Sequence, residues 1–471
     1  MGYQKKNTAY FKKRAFVVTV SFIVSQNDCK DLKKRYQQRR IQFMKHLDAP
    51  AIIIGLKRFP EENLTPWDLL PRSLKQIPLL LHLTGINEKN IALFMDPNTQ
   101  KSILFVAKFN ANTTLWDGQN LCYKNLKQAN IIAKNYGFDE IKSIEGLSDF
   151  LLHKIKEQKF LKLNTLWYCK KNKRPNKDAC YNEKQILLRL FKRHHLNIKL
   201  QSLECIEWQE RLPFDHIDIQ VAKKIQALTK ICFINTIKHI KHCNNEMQIA
   251  GYLNGQLQQV SSLGCSFPSI VASGKNACVL HYHENSAPLN KKELLLLDFG
   301  LRYADLVSDI SRTIPLSGKF NPLQKLVYQQ VLKAQNFVQE NIKPGAILQE
   351  INTKCWQYLH ENLKKSLASY NGDFQTAYLK APHFVSHFIK TAVHDGDYQR
   401  QYQQRGLRVG ECISNEPGFY GMVHATINGI KYQENIGIRI EDNLLVTKSG
   451  CENLSKDIPK TCEELEQLMN V

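Results

Sequence analysis

The run LLLLDFGLRYADLVSDISRTIP, from Leu294 to Pro315, decides the fold of the second half of this 471-residue chain. Four successive leucines leading into Asp298, Phe299 and Gly300 read as a buried strand, apolar on both faces, with a carboxylate at its far end. The following YADLVSDISRTIPL reads as a second strand carrying Asp309. A hairpin between the two brings the carboxylates of Asp298 and Asp309 side by side.

Three further runs outward from this hairpin hold potential ligands: HFVSHFIKTAVHD with His387, SNEPGFY with Glu416, and IGIRIED with Glu441. Four carboxylates and one imidazole form a hard, oxygen-rich set, which suits two divalent ions such as manganese better than one tetrahedral zinc. Without metal the acids repel one another and some must take up protons. His383 and His387 are four positions apart, so they share a side in either a strand or a helix. His394 stands beside Asp395, which can orient its ring. An isolated histidine is more often a satisfied core residue, but three within twelve residues, followed by NEPG, favour a site. IRIED alternates, with Arg439 and Glu441 on one face and Ile438 and Ile440 on the other. All the ligand runs are expected on strands, the rigid support a metal site needs.

Together these runs resemble the metal-dependent peptidases of the creatinase/aminopeptidase, or pita-bread, fold, and most closely the Xaa-Pro aminopeptidases (aminopeptidase P). PSIVASGKNACVLHYHEN, from Pro268 to Asn285, is similar to the family segment that carries an active-site histidine, here His281. VTKSGCENLS followed by EELEQLM resembles the family's C-terminal end. RRIQFM, HLTGINEKNIALFM, SILFV and TLWDG resemble its amino-terminal domain more weakly, so the likeness runs from about residue 36 to the end.

The resemblance implies an α/β (α+β) architecture: a creatinase-like α/β domain over residues 36–205 and a pita-bread metallopeptidase domain over 206–471, behind an extension of residues 1–35. It implies that Asp309 and Glu441 bridge two divalent ions, that Asp298 ligates one, and that His387 and Glu416 ligate the other. A water between the ions is the nucleophile and Glu416 the proton carrier. His281, His383 and His394 contact substrate and transition state, Arg439 holds the carboxylates in place, and Asp305 falls outside the ligand positions. The implied reaction removes the first residue from peptides with proline second, in a homo-oligomer. Two alternatives stay open: an Xaa-Pro dipeptidase on the same fold, and a non-catalytic relative that binds peptides, histones or RNA. Retention of all five ligand positions favours catalysis. Phe384 and Lys390 stand where the family has glycine, and Leu79, Leu80 and Leu81 precede His82 where aromatics are expected. Glycine permits close backbone approach, so Phe384 and Lys390 are expected to reshape the pocket.

Composition narrows the class. With 43% hydrophobic and 23% charged residues the chain is globular, and no apolar run reaches the length of a membrane span. Thirteen cysteines, an odd and scattered set without a C-x-x-C pair, indicate reduced thiols. Cys278 and Cys412 read as buried small hydrophobes rather than nucleophiles. The net charge of +22 invites a nucleic-acid reading. However, KKNKRPNK (Lys170–Lys177) has no interleaved aromatics, so a solvated surface is expected and no specific nucleic-acid partner. The extension, with Lys5, Lys6, Lys12, Lys13 and Arg14 ahead of an apolar Ala15–Val24, resembles a signal peptide without a small-residue cleavage site. A cytoplasmic protein is expected.

Periodicity places strands at AIIIGL, IALFM and SILFV and a helix around Ile186–Leu196. A second helix, from Ile219 to Lys241, carries the stripe Val221, Ile225, Leu228, Ile231, Ile234 and Ile237. A third runs from Glu246 to Leu263 and is capped by Gly264, and a fourth runs from Pro322 to about Ile342.

Overall fold

In the computed structural model, which describes residues 26–55, 76–117, 121–167, 179–396 and 403–470, the run AIII forms a fully buried strand, β1 (Ala51–Ile54). Residues 1–25 of the extension, the basic run 170–177 and Gly118 of TLWDG lie outside the described residues. Two compact units divide between Arg211 and Leu212.

The first unit is built on a mixed sheet. β2 (Ala92–Asp96) pairs antiparallel with β1 and with β3 (Lys101–Lys108). On the other side of β1, β6 (Lys162–Thr165) and β7 (Lys199–Ser202) continue parallel. β4 (Cys122–Tyr123) and β5 (Glu140–Ser143) pair parallel with β3. β1 to β3 are apolar on both faces because helices cover both. Phe43 of α1 (Gln26–Met44) and Leu79, Leu80 and Leu83 of α2 (Pro78–Thr84) pack against one face. Leu151 and Ile155 of α3 (Leu147–Gln158) and Leu187 and Phe191 of α4 (Ala179–Arg193) pack against the other. The three consecutive leucines before His82 are thus core residues of a short helix.

The second unit opens with α5 (His216–His239), started by a reciprocal capping box between Asp215 and Asp218. Its buried face differs from the isoleucine stripe. Val221, Ile225 and Ile237 are buried, but Ile231 is 50% exposed, and Thr229, Cys232, Phe233 and Thr236 point inward instead. Phe233 stacks on Phe299 at 5.8 Å, and the Thr229 hydroxyl pairs with that of Ser308 at 3.0 Å. A hydroxyl with a partner is cheap to bury, so packing against the neighbouring strand overrides simple hydropathy.

α6 (Glu246–Val260) ends three residues before the expected Leu263, so Gly264, with its φ of +64°, shapes the turn after the helix rather than capping it. α7 (Pro322–Asn341) starts with proline in its first turn and a capping box between Asn321 and Gln324. It packs with α8 (Leu348–Ala368).

Three small antiparallel sheets complete the unit. One has the order β12–β9–β8, from β8 (Ile270–Ser273), β9 (Leu294–Phe299) and β12 (Ile310–Pro315). Between β9 and β12 the chain forms a tip hairpin, β10 (Arg302–Tyr303) with β11 (Leu306–Val307). The second contains β13 (Asp373–Thr376), β15 (Gly418–Ile427) and β16 (Ile430–Arg439). The third contains β14 (Cys412–Asn415), β17 (Asp442–Val446) and β18 (Cys451–Asn453). Among the described residues, no helix is long and apolar enough to cross a membrane.

Candidate active site

Asp298 lies within β9, opposite Ser311 of β12. Asp309 sits one residue before β12 begins, so the expected continuous second strand is instead a tip hairpin, a short link and then β12. Gly300 makes this possible. A Cβ there would lie 2.0 Å from the Ser308 carbonyl oxygen and 2.2 Å from the Ser266 hydroxyl, so only glycine lets the strands close behind the two aspartates.

Glu416 and Glu441 occupy matching breaks. Asn415 pairs with Asp442 on one side of the break and Gly418 with Arg439 on the other. Between them Pro417 has no N–H to donate, so the ladder lapses and the Glu441 amide donates to the Ser311 carbonyl instead, at 3.0 Å. The two glutamates therefore turn toward β9 and β12.

His387 is not on a strand or a helix, which corrects the expectation that every ligand run is a strand. Its segment is nevertheless held along β14. The Glu416 amide donates to the Val385 carbonyl at 3.0 Å, Ser414 to His387 at 2.8 Å and Ile389 to Cys412 at 2.9 Å. The His387 amide donates to the Ser414 hydroxyl at 2.9 Å.

These placements bring the five predicted ligands together. Asp298, Asp309 and Glu441 form one group, His387, Glu416 and Glu441 a second, and Asp309, His387 and His394 a third; in each group the potential ligand atoms lie within 4.8 Å of one another. His387 Nε2 is 3.2 Å from Glu416 Oε1 and 3.6 Å from Asp309 Oδ2. Its Nδ1 faces the Phe388 carbonyl at 3.2 Å, and since a carbonyl only accepts, Nδ1 carries a proton; deprotonated at Nε2, the ring would offer that lone pair to a cation held among the acids. Asp305 is buried but belongs to none of the groups.

Arg439 reaches the acids from behind. Its Nη2 meets Asp298 Oδ2 at 2.6 Å, and its Nε donates to the Ser311 hydroxyl at 2.9 Å, which in turn donates to Glu441 Oε2 at 2.9 Å. Asn443 sets the Asp309 backbone, accepting from its amide at 3.3 Å and donating to its carbonyl at 2.7 Å, while Gln226 of α5 holds Asn443 at 2.6 Å. Ser311, Ser414 and Asn443 were not singled out in the sequence, because their contacts join segments more than a hundred positions apart or depend on local loop geometry.

The residues fit a cationic group. Asp298 Oδ1 and Glu441 Oε1 are buried without a hydrogen-bond partner. Such atoms carry an unmet desolvation cost that a cation removes. The metal-free protonation pattern agrees. Burial, reinforced by the Asp298 charge, holds the Asp309 carboxyl well above the usual carboxylate range. Burial and then Asp309 do the same to Glu441. For Glu416 burial also pushes upward, but the hydrogen bond and charge of His387, with His383 and Arg439, outweigh it and bring the carboxyl down to about 2. His387 is pulled down by burial yet raised to about 9 by Glu416 and Asp309.

His383 Nδ1 faces the Phe384 carbonyl at 2.9 Å and its Nε2 faces the Tyr420 hydroxyl at 2.9 Å. Burial lowers its pKa, so it is the neutral Nδ1–H tautomer, with Nε2 accepting from Tyr420. Tyr420, which also accepts from Arg439 at 3.2 Å, was passed over although it closes the run NEPGFY. His394 is exposed, with its ring 4.1 Å from that of His387. His281 is exposed beside His283, ring to ring 6.2 Å, and is in none of the ligand groups. Burial pushes the thiols of Cys278 and Cys412 upward, that of Cys412 to about 12. Phe384 is half-buried next to His383. Lys390 does not face the acids. Its side chain is buried in an ion pair with Asp218, so it does not reshape the pocket by entering it.

The sequence model of metallopeptidase family M24 matches residues 220–448, and that of the aminopeptidase P N-terminal domain matches residues 36–162. Residues 220–448 form a domain of family M24. The Xaa-Pro aminopeptidase of Haemophilus influenzae is 29% identical to it over 403 residues, 83% of this chain and 87% of that protein. Xaa-Pro aminopeptidase 3 of Dictyostelium discoideum is 27% identical, covering 96% and 86%. Among solved structures, Pseudomonas aeruginosa aminopeptidase PepP superposes with a TM-score of 0.76 at 24% identity, and Escherichia coli aminopeptidase P with the inhibitor Pro-Leu at 0.74 and 21%; each match covers 93% of this chain and 98% of the other. These two show the fold: an M24 domain preceded by an aminopeptidase P amino-terminal domain. With its two domain matches and these relatives, the chain is a metallo-aminopeptidase.

Proposed function

We propose that the chain is an Xaa-Pro aminopeptidase that removes the first residue from peptides with proline in second position. The observation that carries this reading is the buried cluster of Asp298, Asp309, His387, Glu416 and Glu441, with two carboxylate oxygens left unpartnered and Arg439 behind them. Asp309, Glu441 and His387 belong to two ligand groups each, and of these the two carboxylates, with two oxygens apiece, suit bridging positions. Asp298 is on one side of them and His387 with Glu416 on the other. Two divalent ions held there, in our reading manganese, would make a water nucleophilic at neutral pH and polarise the scissile carbonyl.

The chain's own groups supply the rest. Glu416, whose Oε1 lies 3.2 Å from both His387 Nε2 and the Ser414 hydroxyl, is the proton carrier, taking a proton from the attacking water and passing it toward the leaving nitrogen. His383, neutral and oriented by Tyr420, contacts the substrate near that nitrogen, and His394 and His281 contribute further contacts. A bond preceding proline is a tertiary amide without an N–H, so a strand-type clamp on the substrate loses one bond and side chains must replace it.

The amino-terminal domain match favours the aminopeptidase over an Xaa-Pro dipeptidase on the same fold. The same reading takes the chain to act as a cytoplasmic homo-oligomer. The test is product analysis by mass spectrometry on manganese-loaded protein offered Gly-Pro, Arg-Pro-Pro and Arg-Ala-Ala. Metal-dependent release of the first residue from Arg-Pro-Pro but not from Arg-Ala-Ala is expected. Cleavage of Gly-Pro alone would transfer the assignment to dipeptidase, and metal binding without any cleavage would favour a binding role.

A further inference from the structure

We infer that Lys390 is a positioning residue that sets the turn carrying His394, an inference that rests on the site reading above. After Ile389 the chain leaves β14 and folds back on itself. The Asp395 amide donates to the Phe388 carbonyl at 2.8 Å and the Lys390 amide to the Ala392 carbonyl at 3.2 Å. This reversal returns His394 to within ring contact of His387. The turn belongs to no regular element, and its backbone is joined to the tip hairpin where the Val307 amide donates to the Lys390 carbonyl at 3.0 Å.

Side chains hold the turn from three further directions. Lys390 Nζ donates to Asp218 Oδ2 at 2.9 Å and to the Pro213 carbonyl at 2.8 Å, and lies 4.9 Å from the centre of the Phe214 ring. Asp218 is in the first turn of α5 and belongs to its capping box, so the lysine is anchored on a rigid helix start. Arg302, on the tip hairpin, donates to the Thr391 carbonyl at 2.8 Å. The Asp395 carboxylate accepts from the Thr391 and Ala392 amides at 3.1 and 3.2 Å. Of these tethers, only Lys390 ties the apex to α5, and the same helix fixes Asp309 through Gln226 and Asn443. One helix thus references both the Asp309 side and the His394 side of the cluster.

A glycine here could supply no such side-chain tether. In this chain the lysine makes the His394 position depend on a buried ion pair, and the pair is well suited to the task because both members are almost wholly enclosed. Displacing a substrate-contacting group by about an ångström is enough to cost up to about a hundredfold in rate.

The test compares the manganese-loaded wild type with Lys390→Met and with the double variant Asp218→Asn/Lys390→Met. The single variant strands a buried carboxylate and can fail to fold. The double variant removes both charges and keeps the volume, so it separates the tether from general stability. Hydrogen exchange of amides 388–395 is read alongside steady-state cleavage of Arg-Pro-Pro. For the double variant we expect exchange in this turn faster by about tenfold or more, kcat lower by about tenfold with KM within about twofold, and manganese stoichiometry unchanged. Wild-type exchange through 388–395 in the double variant would overturn the inference whatever its activity. If the wild type itself leaves Arg-Pro-Pro uncut, the substrate reading fails, while the exchange comparison still decides the role of Lys390.

Discussion

Metal binding at this cluster should release protons, and the number is readable from the metal-free site. Burial and mutual repulsion raise the carboxyl pKa values of Asp309 and Glu441 well above the usual range, and pairing with Glu416 raises that of His387 to about 9. A ligating carboxylate must be ionised and a ligating imidazole neutral. Loading the site at pH 7 therefore displaces about one proton from His387, and the raised carboxyls add to that count in proportion to the protons they still hold. Each displaced proton changes apparent affinity about tenfold per pH unit, equivalent to about 1.4 kcal/mol. Raising the pH from 6 to 7 should thus tighten manganese about tenfold or more. Isothermal titration calorimetry in buffers of different ionisation enthalpy counts the protons directly. A count near zero from pH 6 to 8 would refute the reasoning, since it would mean that His387 is already neutral and the acids already ionised in the metal-free protein. Linkage fixes the accompanying stability trend. Raised carboxyl pKa values contribute stability that is present below about pH 4 and lost as pH rises toward their folded values. The His387 contribution is present below about pH 6.5 and lost as pH rises through about 9. Metal-free protein should accordingly melt lower at pH 9 than at pH 6, and manganese should remove the difference.

Replacing Glu416 by Gln should leave the fold intact while lowering kcat by about two to four orders of magnitude, since general acid–base transfer is worth that much; near-normal turnover with metal bound would rule out the proton carrier. Arg439→Met strands Asp298 Oδ2 and the Ser311 hydroxyl, so manganese affinity should fall about 10- to 100-fold, as is usual for outer partners of metal ligands, and equilibrium dialysis measures it. Arg312 is fully buried, paired with Asp442 at 2.8 Å and donating to the Glu441, Ser311, Pro459 and Ile458 carbonyls. Arg312→Met should cost about 3–5 kcal/mol in urea unfolding, and a loss under 1 kcal/mol would show that the pair is expendable.

The candidate ligands, which the structure brings into one cluster, were legible in the sequence because each lies in a run whose chemistry is local: an apolar strand ending in aspartate, a histidine triplet, a glutamate before Pro-Gly, and an alternating Arg-Ile-Glu. The same holds for strands β1 to β3 and for the start of α7 at Pro322, where short-range propensity and tertiary packing agree, whereas α5 begins at His216, three residues before the expected Ile219. The isoleucine stripe of α5 misled because which face is buried depends on what lies opposite, and here Phe299 and Ser308 selected Phe233 and Thr229. The sequence by itself determined which groups are present for metal and proton chemistry. Only the tertiary structure decided their supports: Ser311 relaying Arg439 to Glu441, Asn443 holding Asp309, and Lys390 turned away from the acids into a pair with Asp218. The first depends on residue type and short spacing, which the chain carries locally. The second depends on contacts across 128 to 172 positions, which come into being only when the strands and α5 pack together.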